Sequence, residues 1–198
     1  MTRPKILLIH PNVSSKIVDA SFPFGLAYLG AVLKKNGYLV KILDLGILNL
    51  ENDDIITFIN KFKPDLIGIT TLSYYYEEMK KLCNLVNGIP KVIGGIHVSS
   101  LPRLSLKECN AKYAVIGEGE ETIVELVQHL TEVKDISKIK GLAYKNDDNE
   151  IVINEPREPI KNLDDIDDIA NSILEINRIK SRNDKNNINE YQKHITDF

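Results

Sequence analysis

The stretch Lys91-Val92-Ile93-Gly94-Gly95-Ile96-His97 joins a short apolar run to a pair of glycines and a histidine. A continuous apolar run is typical of a strand that is buried on both faces of a parallel sheet. Glycines at the carboxyl end of such a strand lack the Cβ atoms that would hold a ligand or another backbone away. We therefore expect a ligand to approach the chain closely at Gly94 and Gly95.

A second glycine cluster, Gly117-Glu118-Gly119-Glu120, follows the strand-like run at residues 113–116. Parallel strands end at the same edge of a sheet, so the two clusters are expected to face one crevice. Open α/β sheets bind their ligands at that carboxyl edge. The two clusters together therefore predict a ligand site, although each alone would be ordinary turn chemistry.

Strand-like and helical patterns alternate through the first two thirds of the chain. Strands are predicted over residues 5–10, 39–44, 66–70, 91–93 and 113–116. Helices are predicted over residues 23–36, 53–63, 75–87, 103–108 and 120–132. This alternation predicts a three-layer, doubly wound α/β domain with five parallel strands in the flavodoxin-like order 2-1-3-4-5.

The pattern changes after residue 140. Residues 141–145 and 150–153 flank the polar run Asn146-Asp147-Asp148-Asn149, which predicts a β-hairpin. We expect three segments: an α/β domain at 1–135, a hairpin and linker at 136–168, and a polar tail at 169–198. The end of the tail, residues 181–198, has few apolar anchors and is expected to be mobile or weakly helical, and dispensable for folding.

Composition narrows the class of partner. The formal net charge of -3 gives no reason to expect nucleic acid, which would favour a basic patch. No apolar run approaches the roughly 20 residues that cross a bilayer, so no membrane partner is expected. The two cysteines, Cys83 and Cys109, are too few for a disulfide framework and indicate core or near-surface thiols in a reducing cytoplasm.

Three common nucleotide-site motifs are missing. The first strand is followed by Pro11-Asn12-Val13-Ser14-Ser15, which lacks the glycines of a dinucleotide fingerprint. The chain also contains no Gly-x-x-x-x-Gly-Lys-Ser/Thr run for a phosphate-binding loop. A phospho-acceptor domain needs an aspartate after the third strand, where this chain has Thr70-Thr71-Leu72.

Several motifs in sequence order resemble one family. They are Pro23-Phe24-Gly25-Leu26-Ala27-Tyr28-Leu29, Pro64-Asp65-Leu66-Ile67-Gly68-Ile69-Thr70, Gly94-Gly95-Ile96-His97, Gly117-Glu118-Gly119-Glu120-Glu121-Thr122 and Gly141-Leu142-Ala143-Tyr144. The chain resembles, over about residues 4 to 168, the cobalamin (B12)-binding N-terminal domain of B12-dependent radical S-adenosylmethionine enzymes. That resemblance implies a cobalamin-binding module serving a radical S-adenosylmethionine catalytic domain, in cis or in trans, for methyl transfer or related radical chemistry.

The resemblance also implies a set of cofactor-binding positions. Corrin is expected over the carboxyl edge of the sheet, with its nucleotide tail between strands and helices, where small residues and threonine or serine hydroxyls are useful. The implied contacts are Asn12, Gly25, Thr70, Thr71, Ser73, Gly94, Gly95, His97, Gly117, Glu118 and Gly119. No catalytic residue and no metal-coordinating residue is expected in this chain.

The chain departs from the family's full pattern in its cysteines. It lacks the Cys-x-x-x-Cys-x-x-Cys motif whose thiolates hold a [4Fe–4S] cluster. The cluster and S-adenosylmethionine are therefore expected only with a separate catalytic domain, and this chain alone is not a complete catalyst. It also lacks Asp-x-His-x-x-Gly, so no histidine is expected under cobalt. The alternative function is a cofactor-free scaffold or substrate-recognition domain of the same fold.

Overall fold

The computed structural model describes residues 3–11, 24–45, 50–131 and 135–160. The predicted contact Asn12, the first residue of the predicted first helix (Pro23) and the polar tail lie outside these ranges. None of the described helices is long and apolar enough to cross a membrane.

The parallel strands form the centre of the sheet. They are β1 (Lys5–His10), β2 (Leu39–Asp44), β3 (Leu66–Thr70), β4 (Lys91–Gly94) and β5 (Tyr113–Val115). Their order is β2-β1-β3-β4-β5 and every neighbouring pair among them is parallel, which confirms the predicted order. The apolar runs form strands because the central strands are covered by helices on both faces.

Helices connect successive strands. They are α1 (Phe24–Lys35), α2 (Asn52–Phe62), α3 (Tyr76–Leu85), α4 (Ile96–Ser100), α5 (Pro102–Glu108) and α6 (Glu120–Thr131). Local sequence sets some of their ends: Glu51 and Asp54 form a capping box at the start of α2, and Lys63 closes it in the left-handed conformation. The short helix α4 and a 3₁₀ turn at Ser73–Tyr75 were not predicted, because each has at most five residues.

The predicted hairpin is present and extends the main sheet. Its strands are β6 (Leu142–Lys145) and β7 (Ile151–Ile153). β6 pairs antiparallel with β5, so the sheet has seven strands within the described residues. The pairing covers the otherwise open hydrogen-bonding edge of β5.

Two apolar clusters fill the space between the sheet and its two helical layers. Alternate side chains of β1 point to opposite faces: Leu8 joins the cluster with α1 and α6, and Leu7 joins the cluster with α2, α3 and α5. The predicted three-layer arrangement is therefore confirmed. Cys83 and Cys109 are free thiols buried in the second cluster. The hydrogen bond between them raises the pKa of Cys83, with burial as the next cause, and lowers the pKa of Cys109.

Arg157 fastens the segment after the hairpin onto α6. Its Nε donates to the Thr122 hydroxyl at 2.9 Å, and its guanidinium pairs with Glu121 and Glu125. It also donates to the Lys140 carbonyl oxygen at 3.2 Å. The arginine side chain is only 12% exposed, so these partners replace most of its water. A planar guanidinium can satisfy this set of acceptors, whereas an ammonium cannot.

We expect Arg157→Lys to lower the free energy of unfolding by about 1–3 kcal/mol, since several charge-assisted hydrogen bonds are lost but both glutamates are partly screened by solvent. Urea denaturation of the full chain measures this change. Lys81→Ala is the matched control, because it removes the exposed pair with Glu78 and should change stability by about 0.5 kcal/mol or less. Equal effects of the two substitutions on the free energy of unfolding would contradict the role of Arg157 in fastening this segment onto α6.

Candidate functional site

A cleft of about 180 Å³, open to solvent, lies between the sheet and the helices α1 and α6. It runs from the carboxyl ends of β3, β4 and β5 along one face of the sheet to the middle of β1. Its lining residues are Leu8, Gly25, Leu26, Leu29, Gly68, Ile69, Thr70, Val92, Ile93, Gly94, Gly95, Val115, Gly117, Gly119, Glu120 and Ile123. The location is the one that the two glycine clusters predicted.

Glycine is the commonest residue in this lining. Six of the sixteen lining residues are glycines, and most of the others are aliphatic. The cleft therefore has space because glycine has no side chain at these positions. At Gly119, a Cβ would come within 3.1 Å of Leu29 Cδ2 and 3.4 Å of Val115 Cγ1, two atoms of the same lining.

Gly68 contributes to the cleft but was not among the predicted contacts. It lies in the middle of β3, where a Cβ would come within 2.8 Å of Leu8 Cδ2. A glycine inside a strand often marks a close approach of another group. That signal was available in the run from Pro64 to Thr70, and it points to the same face of the sheet.

Gly95 differs from Gly94 in what a side chain at that position would contact. Its φ is +102°, and a Cβ would lie 2.3 Å from the Thr71 carbonyl oxygen. The Thr71 N–H donates to the Gly94 carbonyl oxygen at 2.9 Å, so the ends of β3 and β4 are held together here. A side chain at Gly95 would collide with the Thr71 backbone before it filled the cleft. At Gly94, by contrast, a Cβ would make ordinary contact with Val115 Cβ at 3.8 Å.

The structure brings together a little over half of the predicted contacts. The cleft lining contains Gly25, Thr70, Gly94, Gly95, Gly117 and Gly119. It does not contain Thr71, Ser73, His97 or Glu118. Thr71 is buried and its hydroxyl donates to the Leu72 carbonyl oxygen, and a Glu118 carboxyl oxygen accepts the Ile160 N–H at 2.6 Å.

His97 belongs to a network beside the cleft. Its Nδ1 is hydrogen-bonded to the Ser73 hydroxyl at 3.1 Å, and its ring stacks on Tyr76 with centroids 4.0 Å apart. The Tyr76 hydroxyl donates to Glu108 at 2.9 Å, and burial followed by this hydrogen bond raises the tyrosine pKa. The histidine Nε2 is buried and has no hydrogen-bond partner within the described structure. These contacts fix the β4–α4 turn against the start of α3.

Glu120 is a polar lining residue that the predicted contacts omitted. It begins α6, and its Oε2 is buried without a hydrogen-bond partner in the part of the chain that the structure describes. Thr70 is the other lining residue with a polar side chain. The sequence placed Glu120 at a helix start, where an acidic residue is common, so its place in the cleft lining was not predictable from that pattern.

Large apolar side chains lie exposed near the same edge of the sheet. Leu72 is 52% exposed, Tyr74 is 70% exposed and Ile96 is 68% exposed. Leu72 and Tyr74 follow β3, and Ile96 is the first residue of α4, so all three lie close in sequence to the lining residues Thr70 and Gly95. In the described ranges, no group of three or more His, Cys, Asp or Glu side chains is arranged to hold a metal ion. The lining of the cleft itself consists mainly of glycines and aliphatic side chains.

A cleft at the carboxyl edge of a doubly wound sheet is the usual ligand site of this class of α/β domain. Comparison with known families identifies the class more closely. Residues 13–127 match the model of the B12 binding domain, and the chain belongs to that family. The expected family and its fold are therefore confirmed.

Two curated relatives are methyltransferases. The chain is 37% identical over 187 residues to the uncharacterized methyltransferase PH0819 of Pyrococcus horikoshii, covering 89% of this chain and 40% of that protein. It is 30% identical over 174 residues to the cytidylyl-2-hydroxyethylphosphonate methyltransferase of Streptomyces wedmorensis, covering 75% and 33%. The chain thus spans 40% or less of the length of these two relatives.

Solved structures show the same fold. The radical S-adenosylmethionine methyltransferase TsrM from Kitasatospora setae, with tryptophan substrate and a SAM analog bound, has a TM-score of 0.67 and 25% identity, covering 78% of this chain and 30% of that one. The TsrM structure with cobalamin and a [4Fe-4S] cluster bound has a TM-score of 0.69 and 22% identity, covering 82% and 30%.

The two adjacent glycines give a direct stability test. We expect Gly95→Ala to lower the free energy of unfolding by about 3 kcal/mol or more, because the Cβ meets backbone at a positive φ. Gly94→Ala should change it by about 1 kcal/mol or less, because its Cβ makes only ordinary contacts. Urea denaturation of both variants measures the difference, and equal stabilities would contradict the assigned packing.

Proposed function

We propose that this chain binds cobalamin in the glycine-lined cleft and serves as the cofactor-binding module of a radical S-adenosylmethionine enzyme. The reaction of the complete system is methyl transfer or a related radical conversion. The observation that carries the proposal is the cleft itself, whose space exists because glycines occupy the ends of β4 and β5 and the middle of β3. Membership of the B12 binding domain family supports the same ligand.

The residues present fit the shape of this cofactor. Cobalamin combines a broad corrin with a narrower nucleotide tail. The cleft reaches from the open edge of the sheet down to Leu8 and Gly68, which suits an extended group more than a broad one. The exposed side chains Leu72, Tyr74 and Ile96 offer apolar surface outside the mouth, where a broad ring could rest.

Each lining group has a distinct part in this proposal. Gly94, Gly117 and Gly119 would leave room for the tail beside the backbone, and the Thr70 hydroxyl would donate to or accept from a polar group of the ligand. Aliphatic side chains such as Leu29 would exclude water. When bound, cobalamin supplies the cobalt centre for methyl or radical chemistry, while the protein supplies binding and orientation. Contacts by Asn12, Thr71, Ser73, His97 and Glu118 stay predictions.

A catalytic partner completes the proposed system. The sequence has two cysteines and no three-cysteine motif, so a [4Fe–4S] cluster and S-adenosylmethionine would be bound by a catalytic domain, in cis or in trans. The larger size of the related methyltransferases supports this arrangement. Such chemistry would take place in the reducing cytoplasm, where the free thiols of this chain are also expected.

We expect hydroxocobalamin to bind the full chain and Gly94→Val to weaken binding by about tenfold or more, because a branched side chain would occupy the cleft. Gly94→Ala should have a smaller effect. Absorbance titration after desalting measures binding, and thermal melts verify the fold. Ser100→Val is the control, since it introduces the same side chain at an exposed position outside the cleft.

The outcomes separate the proposal from its alternative. Weakening by Gly94→Val with an unchanged melt, and none by Ser100→Val, supports binding in the cleft. Equal affinity of the wild type and both variants would place the ligand elsewhere. No binding to the wild-type chain would contradict cofactor binding and favour a scaffold or substrate-recognition role.

A further inference from the structure

Glu120 is one of two residues with a polar side chain in a cleft that is otherwise lined by glycines and aliphatic residues. Its Oε2 is buried with no hydrogen-bond partner in the described chain. A buried acceptor that stays unpaired costs about 1–3 kcal/mol. Such a group in a ligand cleft therefore calls for a hydrogen-bond donor on the ligand.

The acidic residues near Glu120 restrict which chemical group of the ligand can lie beside it. Glu118, Glu120 and Glu121 lie within four positions at the start of α6. Glu121 is paired with Arg157, and Glu118 accepts the Ile160 N–H, but Glu120 Oε2 has no hydrogen-bond partner among the described residues. The free N–H groups of a helix start normally favour an anion. An unpaired carboxylate among them repels one, so a phosphate is disfavoured and a neutral donor is favoured.

The position of Glu120 indicates which part of the ligand reaches it. The cleft has little spare room between the sheet and the helices α1 and α6, because a Cβ at Gly68 would meet Leu8 and a Cβ at Gly119 would meet Leu29. The nucleotide tail of cobalamin is the narrow part of the ligand, and its ribose carries neutral hydroxyl donors. Its phosphate cannot donate when ionised, and its benzimidazole base has no N–H.

We propose that Glu120 accepts a hydrogen bond from a ribose hydroxyl of the nucleotide tail and so fixes the sugar, rather than the phosphate, at the start of α6. This inference rests on the proposed function. Glu120 acts here as a binding and positioning residue that makes the cleft selective for corrinoids with a nucleotide tail. The Thr70 hydroxyl, at the end of β3, is the second polar side chain of the cleft.

The hydrogen bond between Glu120 and the ribose can be tested by comparing cobalamin with a corrinoid that lacks the nucleotide. Dicyanocobalamin and dicyanocobinamide have the same corrin and cyanide on both faces of cobalt, but only the former has the ribose, phosphate and base. We expect Glu120→Ala to weaken dicyanocobalamin binding by about tenfold, the effect of losing a hydrogen bond to a charged group. Its effect on dicyanocobinamide should be less than about twofold.

Matched variants control for the charge and the fold. Glu121→Ala removes a carboxylate from the same helix turn but not from the cleft, so both ligands should bind within about twofold of wild type. Glu120→Gln keeps the size of the side chain and one acceptor oxygen, and it should restore part of the selectivity. Thermal melts of each variant measure stability independently of binding.

The possible results separate the hydrogen bond between Glu120 and the ribose from the binding of cobalamin in the cleft. A loss confined to Glu120→Ala with dicyanocobalamin supports the ribose contact. Equal weakening of both ligands would assign the donor to the corrin amides, and no change with either would remove Glu120 from binding; both overturn the inference while leaving cobalamin binding intact. Failure of the wild-type chain to bind either ligand would overturn the proposed function together with the inference.

Discussion

The close approach of the Gly95 backbone to the Thr71 carbonyl oxygen determines how β3 and β4 end. A Cβ at residue 95 would lie 2.3 Å from that oxygen, and the residue has a φ of +102°. With glycine there, the Thr71 N–H reaches the Gly94 carbonyl oxygen and the two strand ends stay paired. The chain can then turn into α4 without covering the carboxyl edge, and the cleft remains open between that edge and the helices α1 and α6.

The features that could be predicted from sequence are those with a local signal. Continuous apolar runs identified the parallel strands, and glycines directly after two of them, at Gly94 and Gly117, identified the edge where the cleft lies. The strand order was predicted as the flavodoxin-like arrangement of a chain in which strands and helices alternate. The turn Asn146–Asn149 identified the hairpin because polar residues lie between two apolar runs.

The features that could not be predicted depend on contacts between distant residues. Whether Gly68 opens a cleft depends on Leu8, which lies sixty positions away in sequence but beside it in the sheet. Whether Glu120 lines the cleft depends on how α6 packs, since the same residue could equally face solvent. The pairing of β6 with β5 required an uncovered sheet edge, which no run of residues reports. Each case concerns side-chain surroundings rather than secondary structure.

A crystal structure of this chain in complex with cobalamin tests the central claim most directly. The account predicts electron density for the nucleotide tail between the sheet and the helices α1 and α6, in contact with the backbone at Gly94 and Gly119. The corrin should lie outside the mouth, near Leu72 and Ile96. Density for the tail on any other surface, with the glycine-lined cleft filled only by solvent, would contradict the account.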